Sequence, residues 1–434
     1  MISRYSLSPM KEIWTQEAQY ERWLEVELAL IKTYEELGIA PQNSYKNAKK
    51  NSKIDVEEIL KIESEVRHDV IAFIKSVTEN MNDEARYFHM GLTSSDVIDT
   101  ALSLAMKQSL ELIIDKLNEF IKVLKILAKK YKNTITLGRT HGIHAEPTSF
   151  GLKWLSYLSE AERNRERLEK TLEDISQGKL SGAVGNYANI DPSVEKKVLE
   201  KLSLMPCKIS TQIVPRDIHA EFLYNLSLLG AGIERIALEI RHLQRSEVQE
   251  AFEPFTKGQR GSSAMPHKKN PIISERLCGM ARLLRSNADA AAENIALWHE
   301  RDISHSSIER IIIPDSCLIA FYMLEKVTWM VEGIDVKEDQ MIEQFKRSYN
   351  LVFSQRVMLT LVSKGFSRED AYKLTQKVAL ECWNSKKDFK EEIKKVNDDE
   401  HYFSKNEIED IFNPTYFLKN ISKIYERFNF EDEE

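Results

Sequence analysis

The sequence predicts an all-α protein in three regions, and three observations carry that expectation. Helix breakers are scarce, with 15 Gly and 11 Pro in 434 residues, and these are the residues that end or kink helices. Long stretches place apolar residues at three- and four-residue steps. Strand-like alternation is almost absent, and no period of twenty to fifty residues repeats. A chain of this length exceeds what one hydrophobic core serves. We therefore expect an N-terminal helical domain over 1–92, a central long-helix bundle over 93–344 and a C-terminal helical domain over 345–434.

In the first region, Trp23, Val26, Leu30 and Leu37 predict a helix from Gln16 to Leu37, closed by Gly38 and Pro41. After Gly91, Thr93-Ser94-Ser95-Asp96 offers N-caps and a capping-box-like Thr-x-x-Asp. No Gly or Pro follows until Gly138, so one very long helix, or nearly so, is expected. Three similar segments come next. Gly151 to Gln177 carries Leu152, Leu155, Leu158 and Leu168 among charges; Arg216 to Gln249 is apolar through Leu223, Leu226, Ile233, Ile236, Ile240 and Leu243. The last runs from Pro271, suited to a first helical turn, to about Trp298. These stripes are too rich for one four-helix core, so packing between subunits is expected as well. From about residue 345 shorter helices return, with turns at Gly365 and Pro414, and Glu431 to Glu434 reads as a frayed tail.

Composition narrows the function classes. A hydrophobic share of 42% against 30% charged is that of a soluble globular protein. The net charge of -7 argues against a general nucleic-acid binder. Cys207, Cys278, Cys317 and Cys382 are scattered, with no CxxC pair or zinc-type spacing, which suits a reducing, cytoplasmic setting. The first residues lack an apolar signal core, and no apolar run approaches membrane-spanning length.

Between the long helices lie the chemically unusual segments. Gly258 to Pro271 holds two adjacent hydroxyls and two lysines ahead of a proline-started helix. A cation-rich loop of this kind suits a lid over an anionic substrate, while the competing reading is a solvated interhelical loop. A phosphate loop is excluded, because GxxxxGK[ST] is missing. Gly138 to Gly151 places His141 and His144 three apart, near Arg139 and Glu146. Gly142 and Pro147 disfavour the helix that a His-x-x-His zinc site would need, and no third ligand lies at suitable spacing. An imidazole titrates near neutral pH and so fits acid–base work; a structural role is equally open for His144. Glu65 to Asp69 and His89 to Asp96 form two further clusters. Thr93 and Ser94 suffice as helix caps, yet a helix N-terminus also receives carboxylates and phosphates. Residue chemistry alone leaves open whether Ser262 or Lys268 is the base, since a serine must be strongly stabilised as an alkoxide to take a carbon-bound proton.

The string GSSAMPHKKNP resembles the GSSxMPxKxNP signature of the fumarase and aspartase superfamily, and GRTHGIHAEPTSFG resembles its TxGRTHGxHAxPTxFG block. That resemblance implies elimination of fumarate with Ser262 as general base, Lys268 steadying the aci-carboxylate intermediate, and His141 as general acid. It pairs Glu275 with His141, for which a structural salt bridge is the alternative, and makes His68 an assistant to the acid. Three further blocks, Arg4 to Met10, Gln212 to Ala220 and Asn294 to Arg310, resemble the adenylosuccinate lyase branch. By that likeness Arg4, Tyr5, Arg67, His68 and Asp69 contact the nucleotide. Thr93, Ser94, Gln212, Ser263 and Asn270 meet substrate carboxylates or neighbouring atoms, Arg276 adds a cation, and Arg301, Ser306 and Arg310 take the phosphate and ribose end. The resemblance implies no metal or cofactor, and a homotetramer with a twenty-helix core whose active sites are each built from three subunits. The substrates would be small succinylated purine nucleotides, carrying roughly four negative charges, with no nucleic-acid or membrane partner. Argininosuccinate lyase and a helical protein of purely structural use are the competing readings.

Overall fold

The computed structural model describes residues 1–256, 258 and 260–430; Lys257 and Gln259 of the signature loop and the acidic end from Glu431 to Glu434 lie outside the described residues. Two compact units divide the chain. The first comprises Met1–Glu119, Ala161–Glu234 and Arg276–Lys326, and the second Phe120–Glu160, Arg235–Glu275 and Val327–Glu434. Helix dominates both, as expected.

The four anticipated long helices are Ser94–Lys130, Phe150–Ile175, Arg216–Leu243 and Ile272–Glu293. Several ends are earlier than the apolar pattern suggested. Arg216–Leu243 stops six residues short of Gln249, and the chain turns through Arg245–Gln249 instead, with Gln249 N–H donating to Arg245 O at 3.0 Å. Pro271 precedes its helix rather than opening it, and Trp298 lies beyond the end at Glu293. In the first region Gln16–Glu36 forms with Thr15 as a true N-cap, its side chain accepting from Ala18 N–H. Trp23, Val26 and Leu30 are buried, whereas Leu37 is past the helix end and exposed.

A fifth long helix, Ser304–Glu332, was not expected. It contains Pro314, which lacks the N–H of an interior hydrogen bond and ordinarily breaks a helix. Its flanks supply the compensation, because Ile312, Ile313, Cys317, Leu318 and Ile319 are all buried. The other departure is a β-hairpin, Ile135–Thr140 paired antiparallel with Ile143–Ser149. It occupies the segment that Gly142 and Pro147 had barred from being helical.

Each unit has its own core. In the first, Tyr20, Trp23 and Phe73 meet edge-on or stacked, with ring centroids 5.3 to 6.0 Å apart. This joins helix Gln16–Glu36 to helix Asp69–Thr78. In the second, Phe353, Phe389 and Phe412 pack with Val357, Leu361 and Ile411. Gly365, with φ 101°, closes helix Ser354–Ser363, and Pro414 opens the short 3-10 helix Pro414–Leu418.

Candidate active site

The first unit contains a cavity of about 700 Å³, within the range that encloses small ligands. Five helices present their N-terminal turns to it, through Thr15, His68, Ser94, Arg216 and Ser306. The exposed N–H groups of a helix start act as about half a positive charge, so this convergence favours an anion before any side chain is counted. Local sequence explains the turns. His68 is the N-cap of Asp69–Thr78 and its ring accepts from Ile71 N–H at 3.4 Å. Arg67 stands in the left-handed region at the end of Val56–Val66, which turns the chain sharply between the two helices.

Thr93 and Ser94 are fixed from below. Asp96 accepts from Thr93 N–H at 2.8 Å, one half of the expected capping box. Its other oxygen accepts from Ser181 N–H at 3.0 Å and Gly182 N–H at 3.3 Å, and pairs with the ammonium of Lys179, all fully buried. The approach to Thr93 is held too. Glu27, wholly buried, accepts from His89 N–H at 2.8 Å and pairs with its Nδ1 at 2.7 Å.

Of the residues singled out in the sequence, the cavity gathers Arg67, His68, Asp69, Thr93, Ser94, Gln212, Arg301, Ser306 and Arg310. Arg310 pairs with Asp69. Arg301 Nη1 donates to Gln212 Oε1 at 3.1 Å, which leaves the Gln212 amide N–H₂ as the end able to donate to a carboxylate. Arg276 lies elsewhere in this unit, donating to the Tyr322 hydroxyl at 2.8 Å beside Tyr5, whose ring meets Tyr322 edge-on at 5.3 Å. Arg4 belongs to the same short turn, Ser3–Tyr5.

Sequence reasoning missed a buried ionic network in the cavity wall. Arg216 lies between Asp99 and Glu309, bonded to both. Burial acts to raise both carboxyls, but the Arg216 charge outweighs it at Asp99, which is held at about 2. At Glu309 burial wins and moves the carboxyl up to about 7, with Asp99 adding to the rise. One guanidinium shared by two carboxylates stabilises one anion fully and the other partly. The available signal was Asp99 itself, an acid set among Val97, Ile98 and Ala101 in an apolar run.

The remaining sites lie in the second unit. His141 and Gly142 form the two-residue tip of the hairpin, both with positive φ, between the paired Thr140 and Ile143. A tight turn of this hand needs positive φ at both positions, and His141 accepts that strain, φ 55°, as an exposed side chain. Below the tip Arg139 grips the buried Glu250 through two hydrogen bonds of 2.9 and 2.6 Å. Burial, then Arg139, lowers the pKa of His144 across the hairpin.

In the signature loop, Ser262 Oγ accepts from the N–H groups of Ala264 and Met265 at 3.3 and 3.2 Å. Serine often makes such a local turn, but two amide donors also favour an alkoxide over a hydroxyl. Asn270 Nδ2 donates to Gly261 O at 2.9 Å and ties the loop's two ends. Ser263 and Lys268 are exposed. Glu275 is exposed in the first turn of Ile272–Glu293, while Glu253 accepts the N–H groups of Ile273 and Ser274 at that helix start. Among the described residues the side chains of His141, Lys268 and Glu275 have no hydrogen-bond or ion-pair partner, and no hydrogen bond joins His141 to Ser262.

A cavity lined by five helix starts, in a chain built of long helices, suits an anionic ligand. Residues 4–284 match the family model described as Lyase. A solved fumarate lyase from Mesorhizobium sp. BNC1 superimposes with a TM-score of 0.90 over 98% of this chain and 99% of that one, at 23% identity, a likeness of fold. Residues 350–428 match the model for the adenylosuccinate lyase C-terminus. The chain is 53% identical to the adenylosuccinate lyase of Thermotoga maritima over 99% of its length and 100% of that protein's, and 46% identical to that of Bacillus subtilis over 98% and 99%. It belongs to the adenylosuccinate lyase family.

Proposed function

We infer that this enzyme catalyses the reversible β-elimination of fumarate from adenylosuccinate, giving AMP, and from succinylaminoimidazole carboxamide ribotide, giving AICAR. The observation that carries the inference is the cavity of the first unit, where helix starts, Arg67, Arg301 and Arg310 await a ligand of several negative charges. A small dicarboxylate would leave much of that volume and charge unused.

In the proposed reaction Ser262, as an alkoxide, removes the proton on the carbon beside one carboxylate. The electron pair is held first as an aci-carboxylate, steadied by Lys268 and helix-start N–H groups, with Thr93, Ser94, Gln212 and Asn270 as carboxylate ligands and Ser263 as a further substrate contact. The pair then forms the fumarate double bond as the carbon–nitrogen bond breaks, and His141, oriented by Glu275 and assisted by His68, protonates the leaving nitrogen. Arg4, Tyr5, Arg67, Asp69 and Arg276 contact the nucleotide, and Arg301, Ser306 and Arg310 its phosphate and ribose. No step calls for a metal or cofactor.

The complete site is proposed to be shared among subunits of a cytoplasmic homotetramer, with N-terminal, central and C-terminal regions over 1–92, 93–344 and 345–434. Supporting the assembly, Tyr224, Leu228 and Leu283 stand 42 to 51% exposed on long helices, and exposed apolar stripes of this kind mark interfaces. The four cysteines at 207, 278, 317 and 382 are buried and form no disulfide among the described residues, which suits a reducing compartment. Fumarate release followed by ultraviolet absorbance tests the activity. Purified protein should turn over adenylosuccinate, and Ser262→Ala and His141→Ala should each abolish turnover while the oligomer's mass is unchanged. Near-full activity of Ser262→Ala would remove Ser262 as the base.

A further inference from the structure

Arg22 lines the same cavity from helix Gln16–Glu36, on one helical face with Thr15, Gln19 and Trp23. Its surroundings differ from those of the other arginines there. It is 8% exposed, and among the described residues its one side-chain hydrogen bond runs from Nη2 to the carbonyl of Ile13. Arg216 and Arg310 each hold a carboxylate. Glu25 and Glu21 of the same helix attract Arg22 through charge alone, and among the described residues it forms no ion pair with either. Burial lowers its pKa to about 10, so it remains a cation at neutral pH.

A nearly buried charge with no counter-ion is costly, and the cost is recovered if an anion enters. The same wall is short of acceptors elsewhere: Trp14 Nε1 and Arg301 Nε are buried donors without partners among the described residues. Packing shows which end of the cavity this face adjoins. Trp23 meets Phe73 edge-on at 5.4 Å, and Phe73 belongs to the helix whose first residue, Asp69, pairs with Arg310.

We propose that Arg22 is a further substrate-binding residue, an unpaired cation that receives the phosphate of the nucleotide alongside Ser306 and Arg310. The proposal rests on the cavity being the substrate site. It assigns a role to helix Gln16–Glu36, which the motif reading left without one.

The test is inhibition of adenylosuccinate turnover by AMP and by adenosine, which differ by the phosphate alone, in the wild-type enzyme, Arg22→Gln and Arg22→Lys. Losing one charge-assisted contact predicts that Arg22→Gln weakens AMP by about tenfold or more and leaves adenosine within about twofold. Arg22→Lys, which keeps the charge without the fork, should fall between. Equal weakening of both ligands, or of neither, overturns the proposal. If Arg22→Gln fails to assemble, an Arg22→Lys enzyme with wild-type discrimination overturns it as well, and reduced discrimination supports it. A wild-type enzyme without turnover would instead remove the assignment of function, whatever the variants do.

Discussion

Arg216 grips Asp99 end to end, Nη1 donating to Oδ2 at 2.7 Å and Nη2 to Oδ1 at 2.9 Å. The same guanidinium reaches Glu309 at 2.9 and 3.2 Å, and Asp99 also accepts from Val214 N–H at 2.8 Å. Three segments that line the cavity are thereby joined: the helix starting at Ser94, the strap from Gln212 to Arg216, and the helix carrying Ser306 and Arg310. Removing one partner of a buried pair costs about 3–5 kcal/mol. Asp99→Asn is expected to lower stability on that scale and to raise KM more than it lowers kcat, read from urea unfolding and steady-state kinetics. A variant within about 1 kcal/mol of wild type, with unchanged KM, would show that the network is incidental.

The network's neighbours set a dependence on pH. Burial, and next Arg216, push His219 down to about 3 and His305 to about 4. These bases are neutral in the folded protein but take up a proton on unfolding below about pH 6.5. Their contribution is therefore complete above that value and is lost as the pH falls toward 4 and 3. Glu309 works in the opposite sense. Its raised pKa makes the folded state hold a proton that the unfolded chain releases, so stability declines as the pH rises from 4.5 to about 7. His219 isolates the acid branch, since neither ring nitrogen has a hydrogen-bond partner among the described residues. His219→Phe should shrink the stability lost between pH 6.5 and 4.5, measured from denaturant midpoints; an unchanged loss would exclude His219 as its source.

How far such features could be read from the sequence depends on their range. The helices Ser94–Lys130 and Arg216–Leu243 were legible because local periodicity and the absence of breakers determine them. Ser304–Glu332 was not, because Pro314 is unfavourable locally and tolerated only in a packed setting. The hairpin was hidden for a similar reason: a His141-Gly142 tip is no strong turn signal, and the side-chain anchor of its first strand, Arg139 on Glu250, lies 111 residues away. Arg216 and Asp99 are 117 residues apart, so neither predicts the other. At the site, motif resemblance supplied Ser262, and only the fold reveals the two amides directed at its oxygen.

Gly261 provides a test of that loop geometry. A Cβ at this position would lie 2.2 Å from the carbonyl oxygen of Lys268 and 3.0 Å from Lys269 Cα. Both are backbone atoms, so the loop itself must shift. A displacement of about 1 Å in a reacting group can cost about 10²-fold in rate. Gly261→Ala should accordingly lower kcat by about that factor while the unfolding midpoint stays near wild type, because the loop is exposed. Unchanged kcat would mean that the close approach of the loop's two arms does not position Ser262.

Arg139 is expected to act on His141 through the hairpin rather than through contact with substrate. Its two bonds hold the strand Ile135–Thr140 to Glu250, a residue with no exposure to solvent. Arg139→Leu would leave that carboxylate buried and unpaired, at a cost of about 3–5 kcal/mol. Arg139→Lys keeps the charge but not the paired geometry. The double variant Arg139→Leu/Glu250→Leu removes both charges and should recover most of the stability, as replacement of a buried pair by apolar groups often does. If the recovered protein also regains kcat, the pair serves folding alone. If stability returns while kcat stays depressed, the pair orients the tip that carries His141. We expect the second outcome, since a two-residue turn strained at His141 transmits the direction of its strands to the imidazole.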